Sequence, residues 1–265
     1  MSFSAPDEKD AIIEAELAEP PLLARPWGFW MTLLWLLAGY VVLTVTQTIG
    51  ALPVVLLRMA GRPRPQPEVL FAELVADGLL LAVSTLVCAP AMVAFAVGVV
   101  KLTRLPLRDY LGLTSPSPRA VSVSLVAIVA FIAAVDSTYL LMGRPIVPDF
   151  MLRAYRTAEF LPALLLALVV AAPVWEEIFF RGLLWRGWAF SPLGPLGATL
   201  LASLCWTVLH VQYEWLDLAV IFLGGVLLGM IRWRTGSVLL TIALHAVQNL
   251  VGFIEAFVAV ELLGK

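Results

Sequence analysis

Glu176 and Glu177 stand side by side inside the apolar run LPALLLALVVAAPVWEEIFFRGLLW, with Arg181 four residues on. Both histidines of the chain, His210 and His245, also fall within apolar runs, and Asn249 follows His245 by four residues. A carboxylate at bilayer depth costs at least about 2.5 kcal/mol, so two adjacent ones persist there for a partner or for chemistry. A carboxylate can take a proton from water, an imidazole can relay one, and fixed N–H donors can stabilise an oxyanion. The set reads as a polar catalytic cavity rather than a passive bundle.

The surroundings of these residues are membrane-like. Of 265 residues, 61% are hydrophobic and 14% charged, and the mean hydropathy is +0.95. A soluble domain has roughly 45–50% apolar and about 25% charged residues. The composition therefore specifies an all-α, polytopic transmembrane helix bundle whose first partner is the lipid bilayer. A net charge of −2, with no long basic block and no glycine-rich phosphate loop, argues against nucleic acid as a partner. Residues 1–25 carry six acids against Lys9 and Arg25 and read as a solvated, uncleaved tail. Residues 26–159 read as amino-terminal transmembrane helices, and 160–265 as the region bearing the chemistry. Cys88 and Cys205 lie in apolar runs and read as free buried thiols.

A helix crosses about 30 Å of hydrocarbon with about 20 apolar residues. About seven spans satisfy this, near 28–50, 76–100, 119–142, 161–187, 194–214, 216–234 and 237–261. Seven spans put Lys9, Arg25, Lys101, Arg104, Arg108, Arg119, Arg186, Arg232 and Arg234 on one side. Arg58, Arg62, Arg64, Arg144, Arg153, Arg156 and Lys265 fall on the other. The bias is narrow and favours a cytoplasmic amino terminus in a cytoplasmic membrane. Trp27, Trp30, Trp185, Trp188, Tyr213 and Trp215 near span ends fit an interfacial aromatic belt.

Helical spacing sorts the polar residues. Glu177 and Arg181, at i and i+4 with the acid first, share a face in the favourable order. Glu176 is turned about 100° away and is free to face something else. Pro173 removes a backbone hydrogen bond and should kink the helix, opening space at mid-membrane. At 1.5 Å per residue, Glu176, His210 and His245 lie roughly 16, 20–24 and 13–15 Å from one membrane side, depths that helix tilt can reconcile. Gly225 and Gly229 form a GxxxG face for close helix approach. Asp77, Asp136 and Glu255 read as interfacial or helix-pairing groups separate from the cluster.

EEIFFR (176–181), WTVLH (206–210) and HAVQN (245–249) stand in that order on three spans. They resemble the EExxxR, FxxxH and HxxxN motifs of the CPBP intramembrane proteases. That family includes the type II CAAX prenyl endopeptidases and many bacterial homologues. The resemblance covers roughly residues 160–250, and Trp206 departs from it where the motif has Phe. It implies a cone of helices around a cavity open to the cytosol. It also implies cleavage of a peptide bond in a membrane-associated peptide or lipidated protein, with prenylated CAAX proteins as the best-known targets. Carried over, Glu176 is the general base assisted by His210, His245 and Asn249 form the oxyanion hole, and Glu177 with Arg181 orients the site. Trp206 and Phe180 are candidate substrate-lining residues. The glutamate mechanism, with no cofactor, is favoured. Zinc on Glu176, His210 and His245 is the alternative, because these are ligands zinc accepts. A non-proteolytic scaffold or immunity protein of the same fold is the competing class.

Overall fold

The computed structural model describes residues 26–60 and 66–264, and everything it describes is helix, turn or loop. The acidic tail, Arg62, Arg64 and Lys265 lie outside the described residues. Six helices are long and apolar enough to cross a membrane. They are α1 (Phe29–Met59), α3 (Gly78–Lys101), α5 (Pro118–Leu141), α7 (Leu161–Ala189), α9 (Trp215–Thr235) and α10 (Val238–Leu262). Shorter helices join them: α2 (Pro67–Val75), α4 (Leu107–Leu111) and α6 (Asp149–Thr157). Polar caps set several starts. Asp77, Ser117 and Ser237 each accept a hydrogen bond from a backbone N–H of the first turn of α3, α5 and α10. Gly236 ends α9 at φ +69°, a conformation open to glycine without strain.

The seventh apolar element, α8 (Gly194–His210), corrects the span expected at 194–214. It stops after 17 residues, its last three forming a tight 3₁₀ turn at Val208–His210. At 1.5 Å per residue it reaches about 25 Å, short of the hydrocarbon thickness. His210 therefore ends a helix that terminates within the bundle.

Helix α7 lies at the centre. It packs on α3, α8 and α10, so the amino-terminal helices and the motif-bearing ones share a core. Leu36, Cys88, Met92, Phe179, Leu184 and Trp188 belong to that core. Trp185 and Trp188 are buried in it and are not part of an interfacial belt. They face neighbouring helices, and the Trp185 indole donates to Thr199 Oγ1 at 3.0 Å. Trp30 and Trp215 are exposed, as a belt requires. Cys88 and Cys205 are both free thiols.

The GxxxG face holds α9 against α8. A Cβ on Gly229 would stand 2.7 Å from Thr199 Cγ2, and one on Gly225 would stand 3.0 Å from Trp206 Cε3. Gly229→Leu should therefore separate α8 from α9 and destabilise the fold by about 1–3 kcal/mol, as overpacking does. A lowered melting temperature in detergent, with the exposed Gly98→Leu as control, checks this.

Candidate active site

Helix α7 is not a uniform α-helix. Two wide π-helical segments, Ala167–Ala171 and Glu177–Leu184, flank Ala172–Glu176. Such widening often marks functional positions, and Pro173 supplies a local cause. The Ala172 N–H bonds back to the Ala167 carbonyl, five residues away. In that register the next carbonyl, Leu168, faces Pro173, which has no N–H to give. Asn249 fills the gap: its Nδ2 donates to the Leu168 carbonyl at 2.7 Å. The expected opening at Pro173 is thus a widened backbone stapled by α10. One of the two amide hydrogens of Asn249 is committed to it.

Glu177 is fully buried and Arg181 is 1% exposed. Arg181 Nη1 donates to Glu177 Oε1 at 2.9 Å, and His245 Nδ1 lies 3.0 Å from the same oxygen. Arg181 is held in turn, with Nη2 on the Gly225 carbonyl at 3.2 Å and its guanidinium 4.6 Å from the Trp206 ring centroid. From the arginine-rich end, Arg232 Nε donates to the Arg181 carbonyl at 3.1 Å. Arg232 lies in the last turn of α9 and is turned inward and buried.

Glu176 faces the other way, as the helical spacing requires. It lines a cavity of about 390 Å³ together with Trp206, His210, His245 and Asn249. Trp206 Nε1 donates to Glu176 Oε2 at 2.5 Å, and His245 Nε2 lies 3.9 Å from that oxygen. His210 Nδ1 sits 3.0 Å from the Trp206 carbonyl. A carbonyl only accepts, so Nδ1 carries the proton and Nε2 of a neutral His210 is the acceptor. By the same reasoning His245 donates from Nδ1 to Glu177.

The structure brings Glu176, Trp206, His210, His245 and Asn249 to one wall and places Glu177 and Arg181 directly behind it. Phe180 does not join them. It is fully buried, edge-on to Phe179, and is not among the residues lining the cavity. Zinc requires a gathered ligand set. Among the described residues no group of three His, Cys, Asp or Glu side chains is placed to hold a metal ion. Glu176 Oε2 is engaged by the Trp206 indole.

Further polar residues line the cavity that the sequence does not assign to it, among them Asp136, Glu255, Asp217 and Tyr213. Asp136 and Glu255 were expected to lie apart from the cluster, but α5 and α10 bring them into its cavity. No motif ties them to it, because they come from helices more than 100 residues apart. Asp217 accepts from Tyr139 Oη at 2.6 Å. Burial, with the Asp217 and Glu176 carboxylates adding to it, pushes the Tyr213 phenol up, so it stays a neutral donor.

The cavity extends to the chain connections at one end of the bundle. Ile146, Pro148 and Met151, from the α5–α7 connection, line it beside Gln212 and Tyr213 of the α8–α9 turn. This end is opposite the start of α1. With entry at this end, a cytoplasmic amino terminus and a cavity open to the cytosol, both expected from the sequence, are alternatives.

Residues 158–251 match the family described as type II CAAX prenyl endopeptidase Rce1-like, and this match supports membership of the CPBP family. An uncharacterized 24.3 kDa protein of Escherichia coli is 34% identical over 100 residues, which are 34% of this chain and 42% of that protein. The chain thus spans less than half the length of this curated relative. No solved structure matches.

The buried pair makes a direct prediction. Arg181→Met leaves Glu177 charged and short of its main partner, a loss of about 3–5 kcal/mol. Adding Glu177→Leu removes the stranded charge and should recover part of it. Melting of the single and double variants in detergent measures both steps.

Proposed function

We propose that this chain, whose residues 158–251 match the type II CAAX prenyl endopeptidases, hydrolyses a peptide bond of a membrane-associated protein or peptide within the bilayer. The observation that carries this reading is the wall on which Glu176 faces the cavity between two histidines, each anchored through Nδ1, with a buried ion pair behind it.

A water beside Glu176 gives its proton to the carboxylate as its oxygen attacks the scissile carbonyl carbon. His210, with Nδ1–H spent on the Trp206 carbonyl, has Nε2 left to accept from the same water and orient it. The carbonyl oxygen becomes an oxyanion. In this reading the second amide hydrogen of Asn249 and Nε2 of His245 are the donors that meet it. Because His245 Nδ1 already donates to Glu177, donation from Nε2 needs a second proton on the ring. The Glu177 carboxylate compensates the resulting charge. Collapse of the intermediate breaks the C–N bond, and Glu176 returns its proton to the leaving amine.

The wall also bears on the substrate. Four carboxyl groups line the cavity, and no lysine or arginine does so among the described residues. No lysine or arginine of the lining pairs with a free carboxylate, so an uncharged or basic stretch of peptide suits it better than an acidic one.

Purified protein in detergent should cleave membrane-tethered peptides, prenylated CAAX peptides among them. Glu176→Ala should lower the rate at least about 100-fold, the scale of general-base catalysis. Activity equal to the parent in Glu176→Ala or His210→Ala overturns the assignment. Exhaustive chelation should leave the rate unchanged, and a loss restored by zinc would make the site a metal centre.

The side of the membrane is tested separately. By the arginine bias, a single cysteine at Arg119 is labelled by an impermeant maleimide only after cells are opened. One at Gln212, by the cavity mouth, is then labelled in intact cells. The reverse pattern places the mouth in the cytosol and the amino terminus outside.

A further inference from the structure

Trp206 touches every group that the proposed reaction uses on this wall except Asn249. Its indole N–H meets Glu176 Oε2 at 2.5 Å. Its ring stands nearly edge-on to His245, with centroids 5.3 Å apart, and tilted against His210 at 4.9 Å. The Arg181 guanidinium lies over the ring, and Gly225 of α9 provides the room for it. The side chain is 6% exposed and packed on all these sides, which fixes its rotamer.

We propose that Trp206 is a positioning residue that clamps Glu176, holding Oε2 so that Oε1 is presented to water. This rests on the protease reading for its consequence, though not for its geometry. No hydrogen bond reaches Oε1 from the described residues, whereas Oε2 has the indole at 2.5 Å and His245 Nε2 at 3.9 Å. Without the indole, Oε2 can close the remaining gap to a protonated His245. That contact would tie up both the base and a donor for the oxyanion. An indole N–H holds the carboxylate without carrying a charge and without a proton that it can transfer near neutral pH. Phenylalanine, the residue of the resembling motif, has the ring but no donor. The clamp is therefore a property of this chain's tryptophan.

Two measurements on the full chain in detergent micelles test this. In steady-state cleavage of a membrane-tethered peptide, Trp206→Phe should lower kcat about tenfold with KM within twofold. That is the loss expected from removing one charge-assisted hydrogen bond, whereas a substrate-binding role would move KM instead. In protein labelled with ¹⁵N at the tryptophan indoles, one N–H resonance should lie downfield of the others and vanish in Trp206→Phe. It should move upfield in Glu176→Leu and stay in place in Glu255→Gln.

A resonance that ignores Glu176→Leu overturns the clamp, and this readout holds even if Trp206→Phe folds poorly. A Glu176-dependent resonance with kcat unchanged in Trp206→Phe overturns the positioning role. A parent protein inactive on every peptide, with the resonance behaving as expected, supports the clamp and overturns the hydrolytic reading instead.

Discussion

A carboxylate with no solvent contact in the middle of a membrane bundle sets the terms for the rest of this molecule. Glu177 is tolerable there because Arg181 and His245 share its Oε1, and each of those partners is fixed by something else. Arg181 is anchored on the Gly225 carbonyl and the Trp206 ring, which ties α7 to α8 and α9. His245 brings in α10. One buried charge thereby fixes the relative placement of four helices, and its low-dielectric setting makes each contact strong only while the others hold.

The same arrangement leaves Glu176 to the cavity. Adjacent residues on a helix point about 100° apart, so anchoring one glutamate behind the wall turns its neighbour through it. The distortions of α7 serve this geometry. Pro173 withdraws a backbone donor, the helix widens, and Asn249 caps the carbonyl left over. The early stop of α8 at His210 brings an imidazole to the cavity from a helix end instead of a helix flank.

The two ends of the bundle differ in character. One is stitched by arginine and glycine: Arg232 lies on the backbone around Gly112 and Gly236, and the Val238 N–H bonds the Gly112 carbonyl at 2.8 Å. At the other, ion pairs join the connections, Arg58 with the buried Asp77 at 2.7 Å and Arg144 with the exposed Glu214. Closed packing at one end and ion-paired connections at the other suit the proposed entry of a peptide from one side.

Local chemistry was legible in the sequence. The span composition, the i, i+4 pairing of Glu177 with Arg181, the divergence of Glu176 and the close approach at Gly225 and Gly229 all follow from helical periodicity, which every residue carries in its own position along the chain. What lay beyond reach depended on how separate helices meet. The indole of Trp206 on Glu176, the second oxygen contact from His245, the diversion of Asn249 to Leu168 and the burial of Phe180, Trp185 and Trp188 are set by rotations between helices that apolar runs do not encode. Asp136 and Glu255 show this most plainly. Each is an unremarkable acid near a helix end, and only the packing of α5 against α10 puts both on the wall that Glu176 faces. Spacing along one helix fixes direction within that helix, but contact between helices is decided by side-chain packing across them.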